Sequence, residues 1–292
     1  MGFTALVSDS TAALKSEYVI KHQIQIVPLY LNMGEKSLRD GIELDPSDFY
    51  QLLPKANPLP TTSQPSVGDF TTAYQTVIDK GATSIISVHI SAGLSGTINS
   101  ATLAAKQFPG VPIDIIDSCT AAAAPYMAVQ TGAQALADGA SFEEAARKIR
   151  AVLDHQRMIF AVDTLEYLYK GGRIGGAAAL FGSLLQMKPL LYLKEGKIDA
   201  LERVRGSGRA MIRMTEVMAD WLGTTEPLRV IVMHSNCQAR GEDALKLLRS
   251  KLNVAVGQLL LLTPVIGAHV GPGTVGACCC PISICGSAPD MI

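Results

Sequence analysis

Residues 84–107 read "SIISVHISAGLSGTINSATLAAKQ". The first six, Ser84–His89, form an apolar, largely β-branched run of strand length. The last eleven, Thr97–Gln107, carry apolar residues at helical spacing. Between them lie Ser91, Gly93, Ser95 and Gly96. A strand therefore runs through a short polar loop into a helix, the unit from which parallel α/β sheets are built. Helix N-termini turn unpaired N–H groups outward, so this loop is placed to hold an anion.

The same alternation extends in both directions. Phe3–Val7 predicts a strand whose polar end, Ser8-Asp9-Ser10-Thr11, caps a helix. Ile24–Leu31 predicts a second strand, with Pro28 marking an edge or a bulge. Asp45-Pro46 opens a short helix, and "SVGDFTTAYQTVIDKG" is a helix with Pro65 near its start and Gly81 at its end. Pro112–Ile116 is a strand, Tyr126–Ala137 a helix, and "SFEEAARKIRAVLDHQ" a helix with Ser141 and Glu144 spaced as a capping box. Residues 1–156 are thus expected to form a mostly parallel, three-layer α/β domain.

Residues 157–292 change character. Ile159–Val162 is a strand, and residues 163–189 read as a helix, a glycine break and a second helix. Leu190–Leu193 and Lys197–Val204 flank "KEGK" as a hairpin. A helix at Arg209–Leu222, a strand at Arg229–Met233, a helix at Gly241–Lys251 and a strand at Val256–Leu262 follow. "PVIGAHVGPG" then reads as a Gly-rich loop feeding a last strand. This half is expected to be an α+β domain, with the boundary near Gln156.

The chain has 292 residues, of which 48% are apolar and only 5% aromatic, so its core is aliphatic. A net charge of −1 gives no nucleic-acid surface and no polybasic membrane patch. The longest apolar run, "VGQLLLLTPVIGAHV", is broken by Gln258, Pro264 and His269, so no stable membrane insertion is expected. Of six cysteines, Cys278, Cys279 and Cys280 are consecutive, and neighbours on a strand face opposite ways, so the triplet cannot present three thiols to one metal. The absence of C-x-x-C pairs and of a secretory signal points to a reducing cytoplasm.

Three polar loops could carry chemistry: Thr61-Thr62-Ser63, Ser91 to Thr97, and Gly267 to Gly273 with His269. In an open α/β sheet the carboxyl ends of the strands form the ligand crevice. Converging there, hydroxyls, backbone N–H groups and an imidazole suit a carboxylate, each charged hydrogen bond contributing about 1.5–3 kcal/mol. Each residue also has a plainer role. Thr62 or Ser63 can cap the helix at Pro65, Ser95 can cap its own helix, Gly93 and Gly96 can serve turn geometry, and His269 can be a structural donor. Arg173 in "GGRIGG" and Arg205 in "RVRGSG" are solvated charges or loop-borne functional groups. Known enzyme motifs fail. "GLSGT" breaks G-x-S-x-G at Thr97, and neither a P-loop nor a dinucleotide fingerprint occurs. Asp9, Asp117 and Asp163 end strands as "DS" or "DT", which reads as capping or an Asx turn.

In order along the chain, "VSDSTAAL", "TTSQPSVGDF", "SAGLSGT", "IIDSCTAA", "DTLEYLYKGGRIGG", "LLQMKPLLYLKEGKI" and "GAHVGPG" resemble the motifs of the DegV family. The resemblance spans nearly the whole chain. It implies a two-domain α/β protein that binds one long-chain fatty acid in a tunnel between the domains, with no catalytic residue, cofactor or metal. In some bacteria such proteins are the binding subunits of a fatty acid kinase, presenting the acyl carboxylate to a separate ATP-binding subunit for acyl-phosphate formation and phospholipid synthesis. Carried over, Thr62 and Ser95 would bond the carboxylate, with His269 in the same network, and Arg173 and Arg205 would serve the head-group network or partner contact. Thr61 is a weaker candidate, since two adjacent threonines on an extended segment face opposite ways. Ala92 stands where the family often has Ser, and "ACCCP" is unusual for its last strand. Two other readings remain: a carrier that works without a kinase, and a hydrolase or acyltransferase with Ser95 as nucleophile and His269 as base. The latter needs an orienting carboxylate, for which Asp9 and Asp117 are the candidates.

Overall fold

The computed structural model describes residues 2–181 and 187–287. The chain begins with β1 (Phe3–Asp9), α1 (Ser16–Lys21) and β2 (Gln25–Val27), then β3 (Tyr30–Met33), β4 (Lys36–Arg39), α2 (Pro46–Leu52) and β5 (Thr61–Ser63). The first half is completed by α3 (Val67–Asp79), β6 (Ala82–His89), α4 (Thr97–Ala105), β7 (Ile113–Asp117), α5 (Ala123–Ala137) and α6 (Phe142–His155). The second contains β8 (Arg157–Ala161), α7 (Glu166–Lys170), β9 (Met187–Lys194), β10 (Lys197–Arg205), α8 (Ser207–Leu222), β11 (Leu228–His234) and α9 (Gln238–Lys251). It closes with β12 (Val254–Leu261), α10 (Pro264–Val270), β13 (Val275–Pro281) and α11 (Ile282–Cys285).

Three sheets result. One is parallel, in the order β2-β1-β6-β7; a small antiparallel one runs β4-β3-β5; a six-stranded mixed one runs β10-β9-β8-β13-β11-β12. The first two draw only on residues before Gln156 and the third only on residues after it. Side-chain alternation sorts the strands into layers. Ala5, Val7 and Ile85 pack against α3 and α4, while Leu6, Ile86 and Val88 face α5 and α6. The other side of α5 and α6 meets Met158, Phe160, Ile231 and Met233 of the six-stranded sheet, whose far face packs on α8 and α9 through Ile159, Val230 and Val232. The order through the molecule is therefore helix, sheet, helix, sheet, helix, with one helical layer common to both sheets. The cysteine triplet obeys the same alternation: Cys278 and Cys280 enter the shared core, Cys279 the outer one, and all three are fully buried.

Local chemistry fixes the helix starts. Ser66 with Asp69 and Ser141 with Glu144 form complete capping boxes, and Asp45 accepts from Ser47 N ahead of Pro46. Four expectations need correction. Ile24–Leu31 is not one strand: Pro28, without an N–H, ends β2, and the chain leaves for another sheet as β3. "TTS" is a strand, paired Leu31 to Thr62. "PVIGAHV" is a helix, opened by Pro264 and closed by Gly271 at φ +73°. The second helix expected after the glycine break is a 3₁₀ turn over Gly175–Leu180, and residues 182–186 of that expectation lie outside the described residues. No helix among the described residues is long and apolar enough to cross a membrane.

Where α5 meets α6, a Cβ on Gly132 would sit 2.5 Å from Cδ1 and 2.7 Å from Cγ1 of the buried Ile149. Gly132→Val should therefore lose about 1–3 kcal/mol to overpacking. A lowered urea midpoint with an unchanged slope is the expected measurement.

Candidate functional site

A cavity lies where the carboxyl ends of the parallel strands meet the inner face of the six-stranded sheet. The first half contributes Thr62, Ile90, Leu94, Ser95, Ala121 and Ala122, and the second Met158, Phe160, Arg173, Met233 and His269. Its polar side chains include Thr62, Ser95, Arg173 and His269. Thr62 Oγ1 and His269 Nε2 are 2.7 Å apart. Arg173 donates from Nε to the Leu94 carbonyl (3.1 Å) and from Nη1 to the Gly171 carbonyl (2.7 Å), so it staples the loop 91–97 to the segment before it. A Cβ on Gly171 would sit 2.3 Å from His269 Nδ1, so glycine is what lets the imidazole seat there. Ser95 Oγ is 2.9 Å from Thr97 Oγ1. It does not cap α4, whose N-cap is Gly96 without a side-chain bond. The first-turn N–H groups of that helix thus lack the usual side-chain acceptor.

Each contributing segment is held by specific contacts. The loop 91–97 is pinned from both halves. Asp9 Oδ2 accepts from Ile90 N (2.8 Å) and contacts His89 Nδ1 (3.1 Å), while its Oδ1 accepts from Thr11 N (3.0 Å). From the other side, Ser91 Oγ donates to the carbonyl of Gly196 (2.7 Å), the tip of the β9–β10 hairpin. Gly93 and Gly96 both have ordinary negative φ, so turn geometry is not their reason. A Cβ on Gly93 would stand 2.5 Å from the Gly196 carbonyl, and one on Gly96 would strike the Gln64 amide. Helix α10, which carries His269, is anchored by Asp40, which accepts from Val265 N (3.2 Å), and by Tyr50, whose hydroxyl donates to the Leu262 carbonyl (3.0 Å).

Not every candidate from the sequence joins the cluster. Thr62, Ser95, His269 and Arg173 line the cavity. Thr61 is exposed on the other face of β5, and Arg205 is exposed at the end of β10; neither is a lining residue. The Asp9–His89 clamp and Gly171 were not singled out as site residues. "DS" at a strand end did signal an Asp that caps, but its second partner is 81 residues away and invisible locally. Ser87 completes an Asp9–His89–Ser87 chain, at 2.6 Å from His89 Nε2, yet Ser87 is fully buried and bonded to the Tyr74 hydroxyl, beyond the reach of a substrate.

Burial, and then the nearby Arg173 charge, push the His269 pKa down to about 4, so the imidazole is neutral at neutral pH. Its Nδ1 is buried without a partner. With the proton on Nε2, His269 donates to Thr62 Oγ1 and leaves the Thr62 hydroxyl proton free to point into the cavity. The hydrolase reading loses its geometry here. Ser95 is bonded to Thr97 rather than to His269, Asp9 is engaged with His89, and Asp117 serves the backbone of Ala92 and Cys119. Among the described residues, no three His, Cys, Asp or Glu side chains gather as a metal ion would require.

An α/β body whose parallel and six-stranded sheets share a helical layer, with a mainly apolar cavity that is polar at one cluster built from both halves, is the class that these features define. Residues 4–281 match the family described as "Uncharacterised protein, DegV family". A DegV domain-containing protein of Streptomyces coelicolor is 37% identical over 273 residues, covering 93% of this chain and 96% of the relative. A solved structure described as fatty acid binding of a DegV family protein from Thermus thermophilus superposes with a TM-score of 0.87 at 35% identity, over 96% of this chain and 99% of that one. A stearic acid-binding protein from Eubacterium ventriosum gives a TM-score of 0.87 at 28% identity, over 96% and 98%. The chain belongs to the DegV family.

The depressed pKa of His269 has a consequence for stability. Unfolded, the imidazole takes up its proton near pH 6.5; folded, near 4. Between these values the unfolded chain binds the extra proton, so this contribution is complete above pH 6.5 and is lost as pH falls toward 4, by up to about 3 kcal/mol. Urea midpoints measured from pH 7 to 4 should fall less steeply in His269→Gln than in the parent.

Proposed function

We propose that this protein binds one long-chain fatty acid, its carboxylate held by the hydroxyls of Thr62 and Ser95 with His269 behind Thr62 and Arg173 beside them. The observation that carries this reading is the polar cluster set into an otherwise apolar cavity, with Met158, Phe160, Leu168, Leu193 and Met233 along its walls. Burial of the acyl tail would contribute about 0.8 kcal/mol per CH₂. The tail thus supplies most of the affinity, while the hydroxyls fix which end enters where. Methionine walls suit a chain of variable shape, because the side chain is unbranched and adaptable. The fatty acids named for the related structures support the same ligand class.

The protein itself carries no reaction in this reading. It presents the carboxylate to a separate ATP-dependent kinase subunit, with Arg205 and the exposed surface near Arg173 as the partner face, and Thr61 at the margin of the head-group site. The lack of a P-loop motif, and the bonding of Ser95 to Thr97 rather than to His269, support presentation over catalysis. Six free thiols fit a cytoplasmic setting.

Native mass spectrometry of the purified protein, followed by lipid extraction, tests the binding. A stoichiometric fatty acid is expected, with affinity falling about 10- to 100-fold in Thr62→Val/Ser95→Ala as charged hydrogen bonds are lost. A protein that arrives empty and stays empty when offered fatty acids would refute the reading. Gly276 lines the cavity, and its missing Cβ would lie 2.7 Å from Phe160 Cβ. Gly276→Ala should therefore shift the extracted lipids toward shorter or thinner chains.

A further inference from the structure

A second space opens at the opposite end of β11. A cleft of about 660 Å³ lies between α1, α5 and α6 on one side and β11, β12 and α11 on the other. It shares no lining residue with the cavity above. Arg229 and Met233 point from the same face of β11, four residues apart, so the two spaces are separated by about 13 Å along the strand.

Arg229 forms the floor of this cleft and is fully buried. Its Nη2 donates to the side-chain carbonyls of Gln130 and, at 3.1 Å, of Gln258. The Tyr126 ring lies 5.8 Å from the guanidinium carbon. Among the described residues, Nε and Nη1 have no acceptor. Its side-chain hydrogen-bond partners are both amides, so a buried cation stands without a carboxylate. That is a costly arrangement unless an anion completes it. Burial lowers the guanidinium pKa, but the group starts high enough to remain charged. Around the rim, among the described residues, Lys15, Arg147 and Lys148 outnumber Glu17 and Asp138. With Arg229 that makes four such cations against two carboxylates among the described residues, a balance suited to a ligand carrying two or more negative charges. A phosphate ester has them; a fatty carboxylate does not.

We propose that this cleft is a binding site for a phosphate-bearing small molecule, with the phosphate on Arg229 and the remaining negative charge among the rim lysines and Arg147. The volume leaves room for an organic group beyond the phosphate. The proposal is independent of fatty acid binding, since the two spaces have no residue in common.

Isothermal titration of the full chain with pyrophosphate and with inorganic phosphate, at constant ionic strength, tests it. Saturable one-to-one binding is expected, tighter for pyrophosphate. In Arg147→Gln/Lys148→Gln, which alters two exposed side chains of α6 and should leave the fold intact, affinity should weaken about tenfold. Arg229→Gln should abolish binding; if that variant does not fold, the rim variant carries the test. Absence of saturable heat, or equal binding by parent and rim variant, overturns the proposal. Binding that appears only in a chain shortened after Ser287 overturns it too, because the protein's own residues would then fill the cleft. Lipid content, measured in the same preparations, reports separately on the fatty acid.

Discussion

Helix α5 is covered on both sides, and this is the constraint on which the remaining architecture depends. One face meets the parallel sheet and the other the six-stranded sheet, and eleven of its residues are buried, so it lacks the polar face of a surface helix. Its composition follows: alanine at 123, 124, 128, 133 and 135, and Gly132 where α6 comes closest. Small side chains let two sheets share a single helical layer. A larger side chain here would be felt in both cores at once, because close-packed interiors transmit strain. The distance between the sheets, and with it the width of the cavity at their edge, is set by that layer.

The polar cluster inherits its precision from the same arrangement. Thr62 and Ser95 belong to the first half, and His269, Arg173 and the Gly196 turn to the second. Neither half builds this cluster alone. Bonds across the junction, Thr62 to His269 and Ser91 to Gly196, both align the halves and build the site. Glycines at 93 and 171 mark where one backbone or ring must come closer than a Cβ allows.

Much of this was legible in the sequence, and the reasons differ by element. Apolar runs located β1, β6 and β11, which are buried on both faces, and helical spacing located α6 and α8, each with one face on a core. Short elements were harder. β5 has three polar residues and no apolar pattern; it is a strand because β3 offers it an edge. α10 looked like a loop because Gly267 interrupts it and Gly271 and Gly273 follow it, yet tertiary anchors at Asp40 and Tyr50 hold it helical. The cluster of Thr62, Ser95 and His269 was visible as motifs, but Arg229 was not. It sits in an ordinary strand sequence, and only the fold shows a guanidinium buried without a carboxylate.

The order of strands in the six-stranded sheet also bears on how the protein is made. β13 lies between β8 and β11, although every other strand of that sheet precedes it in the chain. Before it inserts, the sheet exists as two fragments, β8 to β10 and β11 with β12, each with an open edge. Open edges are templates for pairing with other chains, and joining strands far apart in sequence is slow. Cys278, Cys279 and Cys280 on that strand enter the cores on both sides of the sheet, so neither core is complete without it. During synthesis the newly made second half is a protein with two sticky margins, waiting for the strand that joins them.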